Sequence, residues 1–329
     1  MLLPGLRGRE TDAVLQIRVI SPADLTPAVL ERLRADHGTA NLSLQAGTAL
    51  EPAGDVIVVE VARERGNAVI DTLVDLEVDV RGSISLLSLD AHASRSGTVA
   101  EASAVGHGAD ALMWQELEDR AHADAHGTFT YFALMIIAAL IAAIAIIIDS
   151  AVLVIGAMIV GPEYGPLTAF AVTIYRRQRD VGRAALTLLG GLLLAILSAA
   201  VLTTVLEWVG EIDTGFHSGG NFFTSFVSEP NVYSFIVAFL AGIAGTIALA
   251  QARQAALAGV LVSVTTIPAA AAVGVDAAVA DWPDALGALG QLGLNLFALV
   301  LASLATLWVH DRAWRRFGFR PSTPRARSH

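Results

Sequence analysis

The chain has 329 residues, carries a formal net charge of −10 and contains no cysteine. The lack of cysteine excludes disulfides, thiolate catalysis and zinc–thiolate sites, and the negative charge argues against nucleic acid, whose phosphates need a basic face. A mean hydropathy of +0.61, with 54% hydrophobic residues, exceeds what soluble chains carry and indicates an integral membrane protein.

The N-terminal segment, residues 1–95, predicts a soluble α+β domain. Strands are expected at LQIRVI, NLSLQ, DVIVVEV and SISLLSL. One helix is expected between an N-cap at Thr26 and a terminator at Gly38, and a second from Asn67 to Leu76. The order βαββαβ is that of a ferredoxin-like domain. This fold hosts many functions, so binding of a small-molecule ligand and oligomerisation or structural packing both stay open.

Residues 96–127 predict a polar connecting helix. Glu118, His122 and His126 follow one another at a spacing of one helical turn, which is workable for a metal site. The alternative is a solvated helix end just outside the membrane. We expect that alternative, with no metal and no cofactor.

Residues 128–310 predict an all-α polytopic membrane domain, followed by a basic tail at residues 311–329. A spanning helix needs about 20 apolar residues. Five runs of that length are free of charge, and a sixth is interrupted only by Glu163. The expected six spans are Gly127–Ile148, Ser150–Tyr175, Ala184–Leu206, Pro230–Ala252, Gln254–Val275 and Ala285–Val309.

The arginines predict the orientation of these spans. Arginines lie between spans two and three, between spans four and five, and after span six, whereas the opposite loops carry only acidic charges. Among those acidic residues are Asp149, Glu211 and Asp276. Cytoplasmic loops are enriched in arginine and lysine, so both termini are expected in the cytoplasm of a multi-pass cell-membrane protein.

Two halves of the membrane region, 129–206 and 232–308, are nearly equal in length. Pro162 lies in the middle span of the first half and Pro268 in that of the second. Three spans per half reverse the orientation, so the pattern predicts a 3+3 inverted repeat. In such repeats, broken helices at matching positions mark a transport site, whereas proline kinks in a structural bundle are the alternative.

Glu163 is the central residue of the predicted path. An ionisable group deep in a span costs about 2.5–3.5 kcal/mol on insertion scales and usually faces a cavity or a partner. The alternative is that Glu163 reaches the cytoplasmic interface. At the midplane, the hydroxyls of Thr265 and Thr266 are expected to face its carboxylate. Asp149 either caps the second span or lines an outer vestibule.

The predicted substrate or ion path therefore combines residues of the two middle spans with one amide of span six. Asn295 lies one turn from Gln291, and packing between helices is the alternative role of this amide pair. The path comprises Asp149, Ser150, Gly161, Pro162, Glu163, Gly165, Pro166, Thr265, Thr266, Pro268 and Asn295.

The membrane region contains several short motifs. They are the Asp149-Ser150 pair, an IGAM run, the GPEYGP turn, Gly242 to Gly245, the AAAAVG run after Pro268, and Leu294-Asn295-Leu296. Together they resemble the signature of a bacterial and archaeal membrane family catalogued as domain of unknown function 389. The resemblance covers roughly Phe129 to Trp308, and the soluble N-terminus is similar to an extension that many members carry.

Two positions depart from that signature. Glu163 stands where the family usually has an apolar residue, and Thr266-Ile267-Pro268 replaces a more proline-rich turn. The family has no settled activity, so the resemblance implies a membrane fold and no particular chemistry.

These observations predict a transporter or channel for an unidentified ion or small solute, with a cytoplasmic regulatory domain. The alternative is a membrane-anchored sensor or scaffold without transport activity. No enzymatic activity is expected, because the sequence lacks HExxH, GxSxG and paired-aspartate motifs. The expected partners are the lipid bilayer and further copies of the chain in a homo-oligomer.

Overall fold

The computed structural model describes residues 14–89, 114–178, 180–212, 216, 231–250 and 266–317. The chain divides into two compact units. One unit comprises Met1–Gln115 together with Arg312–His329, and the other is Glu116–Asp311. Each unit is described by itself below.

The first unit contains a four-stranded sheet with its helices on one face. The sheet order is β2-β3-β1-β4, and every neighbouring pair is antiparallel. The predicted order βαββαβ is confirmed, with two additional helical turns, a 3₁₀ turn at Arg63–Arg65 and α3. The elements are β1 (Val14–Ser21), α1 (Thr26–Ala35), β2 (Thr39–Leu50), β3 (Ala53–Ala62), α2 (Gly66–Asp75), α3 (Val78–Arg81) and β4 (Ser83–Ser88).

Alternation along the central strands builds the core of this unit. Leu15, Ile17 and Val19 of β1 point to the same face and are buried, whereas Arg18 between them is exposed. They pack with alternate residues of β3 and with the apolar stripe of α1, including Val29. The opposite face of the sheet, which includes Arg18, carries both polar and apolar residues.

The predicted N-cap at Thr26 is wrong. The N-cap position is Leu25, and Thr26 is the first helical residue. Its Oγ1 donates a hydrogen bond of 3.2 Å to the carbonyl of Pro22 instead of accepting from the helix. The Pro22 carbonyl thus binds the hydroxyl that the sequence pattern predicts to cap the helix.

The second unit is helical in its described residues. Its elements are α4 (Trp114–Ala125), α5 (Phe129–Ile147), α6 (Ala151–Val160), α7 (Tyr164–Tyr175), α8 (Val181–Val209), α9 (Val232–Ala250), α10 (Thr266–Ala278) and α11 (Trp282–Phe317). The first two residues of α4 and the end of α11 belong to the other unit.

Three of these helices, α5, α8 and α11, are each long and apolar enough to cross a membrane. The pair α6 and α7 passes the same test together, with a bend of 54° between them, so up to four spans lie in the described part of the chain. Helices α9 and α10 are apolar but shorter. Most of the fifth expected span, Gln254–Val275, lies outside the described residues.

Four helices of this unit end in the same tight turn. The residue beyond each end is left-handed, at Asp149, Arg177, Gly210 and Ala280, with φ between 51° and 84°. In each case the next amide donates to the carbonyl five residues back, which satisfies an otherwise free helix end. Three of the four positions are not glycine, so the glycine signal for helix ends is missing from the sequence there.

Helix α10 lies at the centre of the packing, against α5, α6 and α8. Its residues from Thr266 to Ala272 are all buried. At Gly274 the backbone of α10 approaches α8 so closely that a Cβ would lie 2.3 Å from the carbonyl oxygen of Ile196. This close approach is possible only because glycine has no side chain.

Candidate functional site

The helical path breaks between α6 and α7, at Gly161 to Glu163. Pro162 has no amide hydrogen and its ring clashes with a preceding helical carbonyl, so the helix cannot continue through it. Pro166 is the third residue of α7, where its missing amide leaves no intrahelical bond unmade. The predicted break near Pro162 is thus confirmed, with its 54° bend.

Glu163 lies inside the protein at this break. Its side chain is only 1% exposed, and its Oε1 accepts a 2.8 Å hydrogen bond from Thr266 Oγ1 of α10. Glu163 occupies the N-cap position of α7, yet its carboxylate makes no capping hydrogen bond. The side chain is therefore buried against α10 within the protein. The alternative in which its span places Glu163 near the cytoplasmic interface stays a prediction.

The second carboxylate oxygen of Glu163 has no hydrogen-bond partner among the described residues. It lies beside Gly161, where a Cβ would be 2.5 Å from Oε2 and 1.8 Å from Cδ1 of Ile267. Gly161 therefore leaves the space that the carboxylate and Ile267 fill. A buried carboxylate oxygen without a partner is costly, so its retention needs an explanation.

Tyr164, the first residue of α7, extends the contacts of the break to α9. A Cβ at Gly245 of α9 would lie 1.8 Å from Tyr164 Oη. The break therefore touches α9 as well as α10, which are both elements of the second half of the membrane region.

On the other side of α7, the described residues place an acidic side chain from α4. A Cβ at Gly165 would lie 3.2 Å from Cγ and from Oδ2 of Asp124. Burial raises the pKa of the Asp124 carboxyl above its usual range, and the charge of Arg120 opposes this effect. Asp124 is not among the residues that the sequence predicts for the site, although its place near the apolar residues Ala121 and Ala125 is a signal of packing.

Two of the three α4 residues at metal-ligand spacing contact other side chains. Glu118 accepts from the guanidinium of Arg176, and His122 Nδ1 lies 2.9 Å from Asp180 Oδ2. These contacts attach α4 to the turn between α7 and α8. One face of α4 is buried at Leu117 and Ala121, whereas His122 and His126 near its end are exposed.

Asp149 and Ser150 lie at the opposite end of α6 from Glu163, about 15 Å away by the rise of a ten-residue helix. Asp149 adopts the left-handed conformation with φ of 51°. Ser150 is the N-cap of α6, and its hydroxyl accepts from the amide of Leu153 at 3.5 Å. The expectation that Asp149 caps the second span is therefore wrong, and Ser150 has that role.

The remaining predicted path residues are placed only in part. Pro268 is buried and is the third residue of α10, and Asn295 of α11 is 1% exposed and accepts from Gln291 Nε2 at 3.3 Å. Thr265 and the predicted break before Pro268 lie outside the described residues.

Asp276 was expected in an external loop, and this expectation is wrong. It lies within α10 and is fully buried. The helix continues past it to a left-handed residue that is not glycine, Ala280, so the sequence contains no signal for the later helix end.

Residues 158–301 match the family described as Domain of unknown function (DUF389). This region of the chain is similar to that family. The match begins in α6 and ends in α11, so the matched region includes the break and the contact between Glu163 and Thr266. No curated protein and no solved structure matches the chain.

Proposed function

We propose that the region similar to DUF389 and its flanking helices form a membrane transporter or channel for an ion or small solute. The observation that carries the proposal is Glu163, a buried carboxylate at a broken span with one oxygen held by Thr266 and the other without a described partner. Ionisable residues at such depth usually face a cavity or a partner and mark ion or substrate paths.

The break supports the proposal independently of the carboxylate. Non-helical backbone at membrane depth is tolerated only where it is buried in protein or lines a cavity. Here the C-terminal end of α6 and the N-terminal end of α7 meet at Glu163, and each helix end carries about half a charge. Broken helices of this kind form the substrate and ion sites of many transporters.

Six spans in a 3+3 inverted repeat remain part of the proposal. Helices α5 and α9 are both 19 residues long. Pro166 and Pro268 are each the third residue of a short helix, and these helices are followed by a left-handed residue at Arg177 and Ala280. This correspondence favours a repeat in which Pro166, rather than Pro162, is the counterpart of Pro268.

We further propose that both termini face the cytoplasm of the cell, because the arginines lie on one side of the expected spans. The N-terminal domain would then be a cytoplasmic regulatory domain, and the assembly a homo-oligomer. The proposed activity involves no enzymatic reaction. A reporter fused after Arg320 should register as cytoplasmic, whereas external labelling near Arg179 would overturn this orientation.

The proposed transport is tested by solute flux into liposomes that contain the purified full-length protein. The assay uses a panel of monovalent ions and small acids and compares the protein with empty liposomes. Glu163→Gln keeps the shape of the side chain and removes its charge, so flux or its pH dependence should change. Glu207→Gln makes the same substitution at an exposed acid of α8 and should have no effect.

Absence of flux for every solute of the panel, with a folded protein, would contradict the proposal. The same result would favour the alternative function, a membrane-anchored sensor or scaffold. If flux is present and both Glu163→Gln and Glu207→Gln change it equally, the transport function stands, but Glu163 has no particular role in the path.

A further inference from the structure

The phenol of Tyr131 lies inside the protein near the N-terminal end of α5. Tyr131 is the third residue of that helix and is only 7% exposed. Its hydroxyl donates a 3.3 Å hydrogen bond to the carbonyl of Thr187 in α8. A Cβ at Gly191 of α8 would lie 2.2 Å from Tyr131 Oη, so only a residue without a side chain leaves room for the hydroxyl there. The contacts with α8 therefore fix the position of this hydroxyl.

The break at Glu163 lies alongside the same part of α5. Helices α5 and α6 are joined by a short turn at Asp149 and pack against each other, as the two antiparallel helices of a hairpin do. Helix α5 has 19 residues and α6 has ten, so they rise about 28 Å and about 15 Å. The break that follows α6 is therefore level with the N-terminal half of α5, which carries Tyr131. The charge of Glu163 also acts on the Tyr131 phenol, so the two groups lie within electrostatic reach of each other.

Three side chains around the break present oxygen lone pairs. Tyr131 donates its hydroxyl hydrogen to the Thr187 carbonyl, and Thr266 donates its own to Glu163 Oε1. A hydroxyl that has donated its single hydrogen still has two lone pairs, and an ionised carboxylate has only acceptor oxygens. The side chains of Tyr131, Thr266 and Glu163 are therefore set up to accept rather than to donate.

This arrangement of acceptors favours a cationic solute. Hard metal cations take oxygen ligands, and the N–H groups of organic cations such as guanidinium donate hydrogen bonds to them. The negative charge of Glu163 attracts a cation and repels an anion, and both effects are stronger in the protein interior than in water.

We propose that the transported solute is a cation and that Tyr131 binds it together with Glu163 and Thr266. This inference rests on the proposed transport function, and it names the class of the solute and one further binding residue. The hydrogen of the Tyr131 hydroxyl stays on the Thr187 carbonyl while its oxygen contacts the cation. Gly191 is a positioning residue, because a side chain there would displace the hydroxyl.

The test measures the uptake of radiolabelled rubidium, sodium, guanidinium, chloride and sulfate into proteoliposomes of the full-length protein. At least one of the three cations should enter faster than into empty liposomes, and the two anions should not. For that cation, Tyr131→Phe should raise the concentration of half-maximal uptake by about tenfold, because one contact with a charged solute is lost. Tyr233→Phe removes the hydroxyl of an exposed tyrosine of α9 and should leave this concentration unchanged.

Two neighbouring glycines of α8 provide a second matched pair. Gly191→Ala places its Cβ against Tyr131 Oη and should raise the half-maximal concentration as Tyr131→Phe does. Gly190→Ala should not, because the nearest atom to its Cβ would be 3.9 Å away. Thermal melting and size-exclusion profiles separate loss of binding from loss of folding. If Gly191→Ala does not fold, Tyr131→Phe, which keeps the aromatic ring, still decides the role of the hydroxyl.

Three results would count against the inference in different ways. Equal half-maximal concentrations for Tyr131→Phe and Tyr233→Phe would overturn the role of Tyr131, even if Tyr131→Phe lowers the melting temperature. Uptake of chloride or sulfate without uptake of any cation would overturn the cation inference and keep the transport function. If no ion is taken up at all, the proposed transport function itself fails.

Discussion

Replacing Gly161 with alanine tests the packing of the break against α10. The new Cβ would lie 1.8 Å from Cδ1 of Ile267 and 2.5 Å from Oε2 of Glu163. Carbon atoms in contact prefer about 3.5–4.0 Å, and Ile267 is completely buried, so it cannot simply turn away. Overpacking of this kind costs about 1–3 kcal/mol. For a unit of roughly 200 residues, this cost corresponds to a decrease in Tm of about 2–12 °C.

The assay is thermal unfolding of the detergent-solubilised protein, and two further variants make it specific. Gly156→Ala lies five residues earlier, within α6, where a Cβ would meet nothing within 4 Å, and should leave Tm unchanged or slightly higher. Ile267→Val removes the clashing Cδ1 and leaves Cγ1 of residue 267 at 3.1 Å from the new Cβ, whereas Glu163 Oε2 stays at 2.5 Å. The double variant Gly161→Ala/Ile267→Val should therefore be more stable than the sum of its parts predicts. Additive effects, or equal Tm values for Gly161→Ala and Gly156→Ala, would refute the described contact.

Three further predictions concern the fold. Gly274→Ala should lower Tm more than Gly161→Ala, because its Cβ would meet the backbone of Ile196 rather than a side chain, whereas Gly293→Ala should be tolerated because nothing lies within 4 Å. A fragment ending at Ser94 should fold alone with an α+β circular dichroism spectrum, and a random-coil spectrum would count against an autonomous domain. In that fragment the hydrogen bond from Arg81 lowers the pKa of Asp24 below its unfolded value of about 3.9. The pair therefore stabilises the fold at pH values above about 3.9, and this stabilisation is lost as the pH falls through the pKa of Asp24 in the folded state. The urea concentration at the unfolding midpoint should decrease on acidification below pH 4. Asp24→Asn should make this decrease slightly smaller, and only slightly because the pair is exposed.

The N-terminal domain could be predicted in most respects because each of its elements has a local sequence pattern. LQIRVI alternates apolar and polar residues over most of its length, and DVIVVEV is rich in valine and isoleucine. Both patterns indicate strands, and the burial of Ile17 and Val59 agrees with this. NLSLQ was expected to be a short strand, but β2 runs from Thr39 to Leu50. Its additional residues are extended through pairing with β3, which is a tertiary effect that their own composition does not predict.

In the membrane region the break could be predicted, whereas the ends of helices could not. Two prolines and two glycines within GPEYGP cannot form a continuous helix, so the sequence is sufficient there. The turns at Asp149, Arg177 and Ala280 depend on left-handed residues that are not glycine, and no local rule identifies them. For the same reason Asp276 was wrongly predicted to lie in a loop.

The contact between Glu163 and Thr266 follows from a different kind of argument. The two residues are 103 positions apart, so no local pattern joins them. They were expected to meet because each lies near a proline in the middle span of its half. Asp124 was missed, because its contact depends on how α4 packs against Gly165, and that packing is a tertiary property.

The central claim, that a solute reaches the break at Glu163, is tested most directly by thiol accessibility, since the natural chain has no cysteine. Ile267→Cys places one thiol beside Gly161 and Glu163, and Ala142→Cys places one at an equally buried position in the core of α5. A small water-soluble methanethiosulfonate reagent should modify Ile267→Cys in proteoliposomes and block its flux, while Ala142→Cys stays unmodified. If both thiols stay unmodified while the protein still transports solute, the path does not pass through the break and the account is contradicted.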